Sequence, residues 1–239
     1  QVGCYTNAPA ACSLNMLNLP VAGVYSMVLT PPAGTTAFSG SVSLSADVTG
    51  SFTLGTTSAI TIARNGQNAL YSFAGTAGQQ LGLGLSAALT TPAAQIIYVT
   101  VFKPDGTTLG STSINGGATA AVVYDVPALP VTGTYTVRIN PASAATASLN
   151  VLLSQDATYT LSAGAAALPV STTGVGQTAR LNFTGALGQN LGFGLTGITL
   201  TPTNTNPVSV VVYKPDGSYL TQVGCYTNAP AACSLNMLN

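Results

Sequence analysis

The most reactive side chains in this sequence are four cysteines, arranged as two pairs of identical spacing. Cys4 and Cys12 enclose seven residues, and Cys225 and Cys233 enclose the same seven. A disulfide that closes each short loop is the simplest interpretation, and it indicates an oxidising compartment. An intermolecular disulfide between neighbouring molecules and free buried thiols are the alternatives. No metal site is predicted, because such a site takes about four ligands and the sequence has no His.

The residues needed for catalysis are scarce. Without His, neither a Ser-His nor a Cys-His nucleophile can be assembled. Without Glu, two-carboxylate chemistry would require paired Asp residues. Asp105 and Asp216 lie in turn motifs, and Asp47 and Asp156 occupy matching positions where we expect turn caps. We therefore expect no enzymatic activity and no cofactor.

The composition excludes several classes of protein. Only 4% of the residues are charged, five basic and five acidic, against about 25% in an average domain. Five scattered cations cannot form a nucleic-acid-binding patch, and a mean hydropathy of +0.43 argues against disorder. The apolar runs are too short for a membrane-spanning helix. A surface with so little charge favours self-association.

The chain repeats itself on two scales. Residues 1–18 recur letter for letter at 222–239, which is 221 positions later. A weaker period of about 110 residues relates "LPVAGVYSMVLTP" to "LPVTGTYTVRINP", and "KPDG" also occurs twice at this spacing. The repeats predict a first half-repeat at 1–106 with the first cysteine loop, a second at 107–217, and the start of another copy at 218–239.

Both halves show the alternation of β-strands. In "GTYTVRIN", Tyr135, Val137 and Ile139 share one face, and turn sequences such as Lys-Pro-Asp-Gly follow at short intervals. Seven or eight short strands in about 110 residues favour a β-sandwich, with a closed barrel as the alternative.

The phrases "LPVTGTYTVRINPASAATASLNV", "GQTARLNFTGALGQNLGFGL" and "VVVYKPDG" resemble tandem β-sandwich repeats of large secreted bacterial surface proteins. Those repeats are similar to the bacterial pre-peptidase C-terminal domain and also occur beside YD-repeat regions. The resemblance implies two tandem Ig-like sandwiches per 221-residue repeat, in a non-catalytic extracellular module. The sequence departs from the pattern where the first half has "CYTNAPAAC" and the second has "INGGATAAV".

Comparison of the halves indicates surfaces for packing between domains. Arg138 and Arg180 of the second half are replaced by Val28 and Leu70 in the first. Adjacent apolar side chains point outward, and two glycines leave a flat strand surface that another backbone could approach. The candidate packing residues are Val28, Leu70, Gly82, Gly84, Tyr98 and Phe102. Scattered surface apolar residues are the alternative explanation.

Together these features predict a structural component of an extracellular bacterial fibre at the cell surface. Its partners are copies of itself, either as covalent tandem repeats, which we favour, or as polymerised subunits. Asn182 in "NFT" fits the acceptor pattern for glycans, with a solvent-facing strand residue as the alternative. The alternative function is an adhesin stalk or carbohydrate-binding module, with Tyr5 and Tyr226 as candidate ligand contacts.

Overall fold

The computed structural model describes residues 4, 12–16, 19–227 and 232–237, and in these residues the chain consists of β-strands and loops. The strands are β1 Val48–Ser51, β2 Thr57–Ile62, β3 Ala69–Gly75, β4 Leu81–Thr91, β5 Ile96–Phe102, β6 Thr108–Asn115, β7 Val122–Val126, β8 Gly133–Pro141, β9 Thr146–Gln155, β10 Ala157–Thr160, β11 Ala179–Asn182, β12 Leu191–Thr196, β13 Val208–Tyr213, β14 Tyr219–Cys225 and β15 Ala232–Met237. A short 3₁₀ turn lies at Ala142–Ala144. The predicted all-β fold is confirmed. In this part of the chain no helix has the length and apolar character needed to span a membrane.

Strands β1 to β9 form a sandwich of two sheets. One sheet has the order β1-β3-β8-β5-β6, and the other has the order β2-β9-β4-β7. All the pairings are antiparallel except the one between β1 and β3, which is parallel. Each sheet has two edge strands, so the sheets face each other as a sandwich rather than closing into a barrel.

The core lies between the two sheets, where the alternating residues of each strand meet. Along β8 burial alternates at every residue, and Tyr135, Val137 and Ile139 are fully buried. The facing sheet contributes the same kind of side chain from β2, β4 and β9: Ile60, Ile62, Leu81, Leu83, Leu85, Leu149, Val151 and Leu153. The alternate residues predicted from the sequence pattern therefore face the core and the outer surface of the sandwich in turn.

Strands β10 to β15 form three two-stranded ladders. β10 pairs with β11, β12 with β15 and β13 with β14. The last two ladders are antiparallel. These six strands begin 109 to 112 positions after β1, β3, β4, β5, β6 and β7 respectively.

Two compact units divide the chain. The first unit is Gln1–Tyr159 with Pro169–Arg180, and the second unit is Thr160–Leu168 with Leu181–Asn239. The position of the predicted boundary between residues 106 and 107 lies in the turn that joins β5 to β6, two neighbouring strands of one sheet. A repeat period determines the length of a unit but not where the unit begins. The half-repeat division therefore stays a prediction.

Candidate functional site

Both cysteine pairs form local disulfides. Cys4 bonds to Cys12 and Cys225 to Cys233, with Cα atoms 5.3 and 5.2 Å apart. This pairing is the one that the short spacing favours. Cys225 ends β14 and Cys233 lies in β15, so the second disulfide links these two strands. Structural disulfides are characteristic of oxidising compartments outside the cytoplasm.

Tyr5 and Tyr226 are the predicted ligand contacts of the two cysteine loops. Tyr226 follows β14 directly and its side chain is half exposed. Tyr5 lies outside the described residues. The contact of these two tyrosines with a ligand stays a prediction.

The two Lys-Pro-Asp-Gly turns have the same geometry. In each, the glycine N–H donates to the lysine carbonyl over 2.9 Å, and Gly106 and Gly217 have φ angles of 80° and 81°. In each, the aspartate accepts a backbone N–H two residues later, from Thr107 or Ser218. The carboxylates act as turn caps, as predicted from the sequence.

These caps predict how the two turn aspartates titrate. Hydrogen bonds from the side chains and backbone N–H groups of Thr107 and Ser218 lower the pKa of Asp105 and Asp216 respectively. Both should titrate below the ordinary value of about 3.9. The small stability they contribute is present above that value and is lost as the pH falls through the folded pKa. A carboxyl NMR titration checks this.

The change Thr107→Val supplies the control for that titration. It removes the hydroxyl that donates to Asp105 over 2.6 Å, so the pKa of Asp105 should rise toward the ordinary value. The pKa of Asp216 should not change. A rise at both positions would contradict the local origin of the shift.

Three of the predicted packing residues lie together on the outer face of the five-stranded sheet. Leu70 on β3 is the cross-strand neighbour of Arg138 on β8, and the Arg138 guanidinium carbon lies 5.1 Å from the centre of the Phe102 ring. Tyr98 lies on the same face of β5 and is half exposed. Val28 lies elsewhere, in a segment before β1, and is almost fully exposed.

Gly82 and Gly84 lie on the other sheet, and a second backbone covers them. A Cβ on Gly82 would overlap the Gly176 carbonyl oxygen, and a Cβ on Gly84 would overlap the Val175 carbonyl oxygen. Only glycine allows so close an approach to a strand. The flat surface predicted on β4 is thus occupied by residues of the first unit that come from much later in the chain.

An ion-pair cluster fixes the same later segment, and the sequence did not indicate it. Arg180 donates from Nε to Asp156 Oδ2 over 2.6 Å and from Nη2 to Asp125 Oδ1 over 2.5 Å. The Asp156 side chain is completely buried, whereas that of Asp125 is about half exposed. Burial opposes the charge of Arg180, but the two carboxylates outweigh it and raise the pKa of the guanidinium. Asp156 is therefore an ion-pair partner rather than the turn cap expected from the sequence.

Two depressions on the surface of the described residues are lined without charged side chains. Two shallow depressions of about 360 Å³ each are lined by uncharged residues, one by 160–163 and 182–184, the other around Leu54, Leu152 and Thr173. Within the described residues, no group of three or more His, Cys, Asp or Glu side chains could hold a metal ion.

No protein-family model matches the sequence, and neither does any curated protein. Among solved structures, the chain is similar to the pre-peptidase C-terminal domain of collagenase from Bacillus anthracis, with 10% identity over 45% of this chain and 95% of that one, at a TM-score of 0.33. It is also similar to PliG of Aeromonas hydrophila, a periplasmic inhibitor of g-type lysozyme. The identity is 16% over 45% of this chain and 96% of that one, and the TM-score is 0.29. A third similar structure is a family two carbohydrate esterase from Cellvibrio japonicus. The identity is 15% over 44% of this chain and 38% of that one, and the TM-score is 0.22.

Proposed function

We propose that this protein is a structural, non-catalytic component of an extracellular bacterial fibre built from serial β-sandwich repeats. Residues 1–18 and 222–239 are identical, and this identity indicates that the 221-residue unit is itself repeated. A chain of covalently linked copies accounts for it directly. The division of each unit into two half-repeats, 1–106 and 107–217, is part of this proposal.

The observation that carries the proposal is a junction that occurs twice along the chain. Before the first sandwich, Gln67 Nε2 donates to the Ala46 carbonyl over 2.8 Å and Val48 N–H donates to the Asn68 carbonyl over 2.8 Å.

About 110 residues later the same bonds recur. Gln177 Nε2 donates to the Gln155 carbonyl over 2.9 Å, and Ala157 N–H donates to the Thr178 carbonyl over 2.9 Å. At each site the residues that lead into a strand, β1 or β10, are bonded to the loop that precedes its partner strand, β3 or β11. A junction that recurs at the repeat period is the element a serial fibre requires.

The composition and the disulfides support the extracellular part of the proposal. Local disulfides such as Cys4–Cys12 and Cys225–Cys233 are typical of oxidising compartments. Surfaces with 4% charged residues carry little electrostatic repulsion, which permits close packing of neighbouring copies. Asn182 is exposed at the end of β11, so it is accessible to a glycan.

The mass of the native material under denaturing and reducing conditions tests this function. We expect a mass of many times the 221-residue unit, together with filaments under the electron microscope. A mass near 23.8 kDa would refute the covalent tandem. Particles without filaments would refute the fibre.

An adhesin stalk or carbohydrate-binding module is the second candidate, and the half-exposed Tyr226 favours it. Tyr226→Ala should abolish binding to a glycan array if this side chain contacts sugars. Filaments formed by a protein that binds no glycan would favour the structural function.

A further inference from the structure

Residues 19–47, here called the N-terminal segment, form no strand, although their sequence matches two strands of the sandwich. "GVYSMVLTP" at 23–31 aligns with β8, and 37–46 aligns with β9. The loop that leads into β8 is also reproduced. The Tyr135 hydroxyl donates to the Val131 carbonyl over 2.7 Å, and the Tyr25 hydroxyl donates to the Val21 carbonyl over 2.6 Å.

The inward-facing positions of these two strands are apolar in the N-terminal segment but lie in solvent. Tyr25, Met27 and Leu29 are 47%, 58% and 59% exposed, whereas their counterparts in β8 are fully buried. Phe38, Val42 and Leu44 are likewise exposed, and their counterparts in β9, Ala147, Val151 and Leu153, belong to the core. Residues 19–44 are exposed throughout, and apolar side chains at every second position are the pattern of a strand face that has no partner in this copy.

Residues 157–237 show the complementary deficiency. The ladder β12–β15 reproduces β4–β7 and the ladder β13–β14 reproduces β5–β6, each with the same register. The ladder β10–β11 corresponds to β1–β3. The four remaining ladders of the sandwich have no counterpart among the described residues, and every one of them contains β8 or β9.

Two further details agree with this deficiency. β2 pairs only with β9, and no strand forms at the positions that correspond to β2, 167–172. Gly194, the counterpart of Gly84, has no described atom within 4 Å of the position its Cβ would take, whereas Gly84 is covered by Val175. The counterpart of Val175 is Asn65, which lies in the loop between β2 and β3.

We propose that the N-terminal segment of one copy of this chain supplies the two strands that complete the sandwich of residues 157–237 in another copy. This rests on the proposed function, and it names the contact that joins successive repeats. Residues 23–31 take the place of β8 between β11 and β13. Residues 37–46 take the place of β9 beside β12, and they lead directly into β1 of their own copy. The Asn65 loop then covers Gly194.

The register of the complete sandwich specifies the new contacts. Arg138 pairs with Leu70 on one side and with Thr100 on the other. The corresponding partners of Val28 are Arg180 and Val211 of the other copy. Met27, one residue earlier, points into the new core in the place of Val137, and Ser26 points outward in the place of Thr136.

The first experiment compares Met27→Asp with Ser26→Asp in the full chain by sedimentation velocity at increasing protein concentration. The wild-type chain and Ser26→Asp should form chains of copies. Met27→Asp should weaken association about 100-fold or more, because it buries an unpaired carboxylate. Amide exchange of the β1–β9 sandwich should be the same in all three proteins. Equal association of the two variants would overturn the proposal, as would a wild-type chain that stays monomeric.

The second experiment tests the register by cross-linking. A chain with Val28→Cys is mixed with a separately produced, isotopically labelled chain carrying Val211→Cys, and mixed dimers are identified by intact mass without reduction. We expect mixed dimers with Val211→Cys and about ten-fold fewer with Val212→Cys, whose side chain points to the opposite face. Monomers alone, or equal yields at both positions, would overturn it. Native filaments of many-fold mass would in that case leave the proposed fibre intact.

Discussion

Replacing Arg180 with methionine is expected to lower the free energy of unfolding of the first unit by about 3–5 kcal/mol, the usual effect of removing one partner of a buried ion pair. The reason is the Asp156 side chain, which is completely buried and has Arg180 as its charged partner. Without the guanidinium, this buried carboxylate loses that charged partner. Urea denaturation followed by circular dichroism measures the change.

Two variants separate this effect from general damage to the sheet. Asp125→Asn removes the other carboxylate, which is about half exposed, and should cost no more than about 1 kcal/mol. The double variant Arg180→Met with Asp156→Leu replaces the whole pair by apolar groups and should recover most of the loss. If Arg180→Met alone costs less than about 1 kcal/mol, the cluster does not hold the segment in place.

Gly84→Ala is expected to displace residues 175–176 from β4 and to cost about 1–3 kcal/mol, the range for inserting atoms into a packed site. The new methyl group would overlap the Val175 carbonyl oxygen. Because this atom belongs to the backbone, a side-chain rotation cannot relieve the overlap. Amide exchange at 175–177 should become faster, and the free energy of unfolding should fall.

Gly194→Ala is the matched control, because it makes the same change at the counterpart position on β12. No described atom lies within 4 Å of that methyl group, so the stability of a single copy should be nearly unchanged. The association of copies should be weaker, because binding of the N-terminal segment of the next copy would bring the Asn65 loop against this position. Equal stability of Gly84→Ala and Gly194→Ala would contradict the close approach seen at β4.

Features that depend on neighbouring residues could be predicted from the sequence. Alternation in "GTYTVRIN" indicated a strand with Tyr135, Val137 and Ile139 on one face, and these three residues form part of the core. The Lys-Pro-Asp-Gly turns follow from proline at the second position and glycine at the fourth. The cysteine spacing favoured local disulfides, which the structure contains. Local patterns suffice here because each of these features is decided within about ten residues.

Comparison of the two halves singled out residues whose contacts lie far away in the sequence and could not be predicted from it. Gly82 and Gly84 were predicted to accept a second backbone, but nothing in their surroundings in sequence indicates 175–176. Arg180 was noted as the counterpart of Leu70, and the two carboxylates that bind it come from β7 and from the residue between β9 and β10. Side chains 24 and 55 positions apart meet only once the sheets have assembled.

By itself, the sequence determined the all-β class, the repeat period, the turns and the alternation of buried and exposed positions, because backbone preferences and side-chain periodicity are local. The tertiary structure decided the parallel pairing of β1 with β3, the place of β8 between β3 and β5, and the point in the period at which the sandwich begins. Those choices depend on which apolar faces can be buried against each other at long range. For the same reason, only the three-dimensional structure shows that the N-terminal segment carries a strand face without a partner.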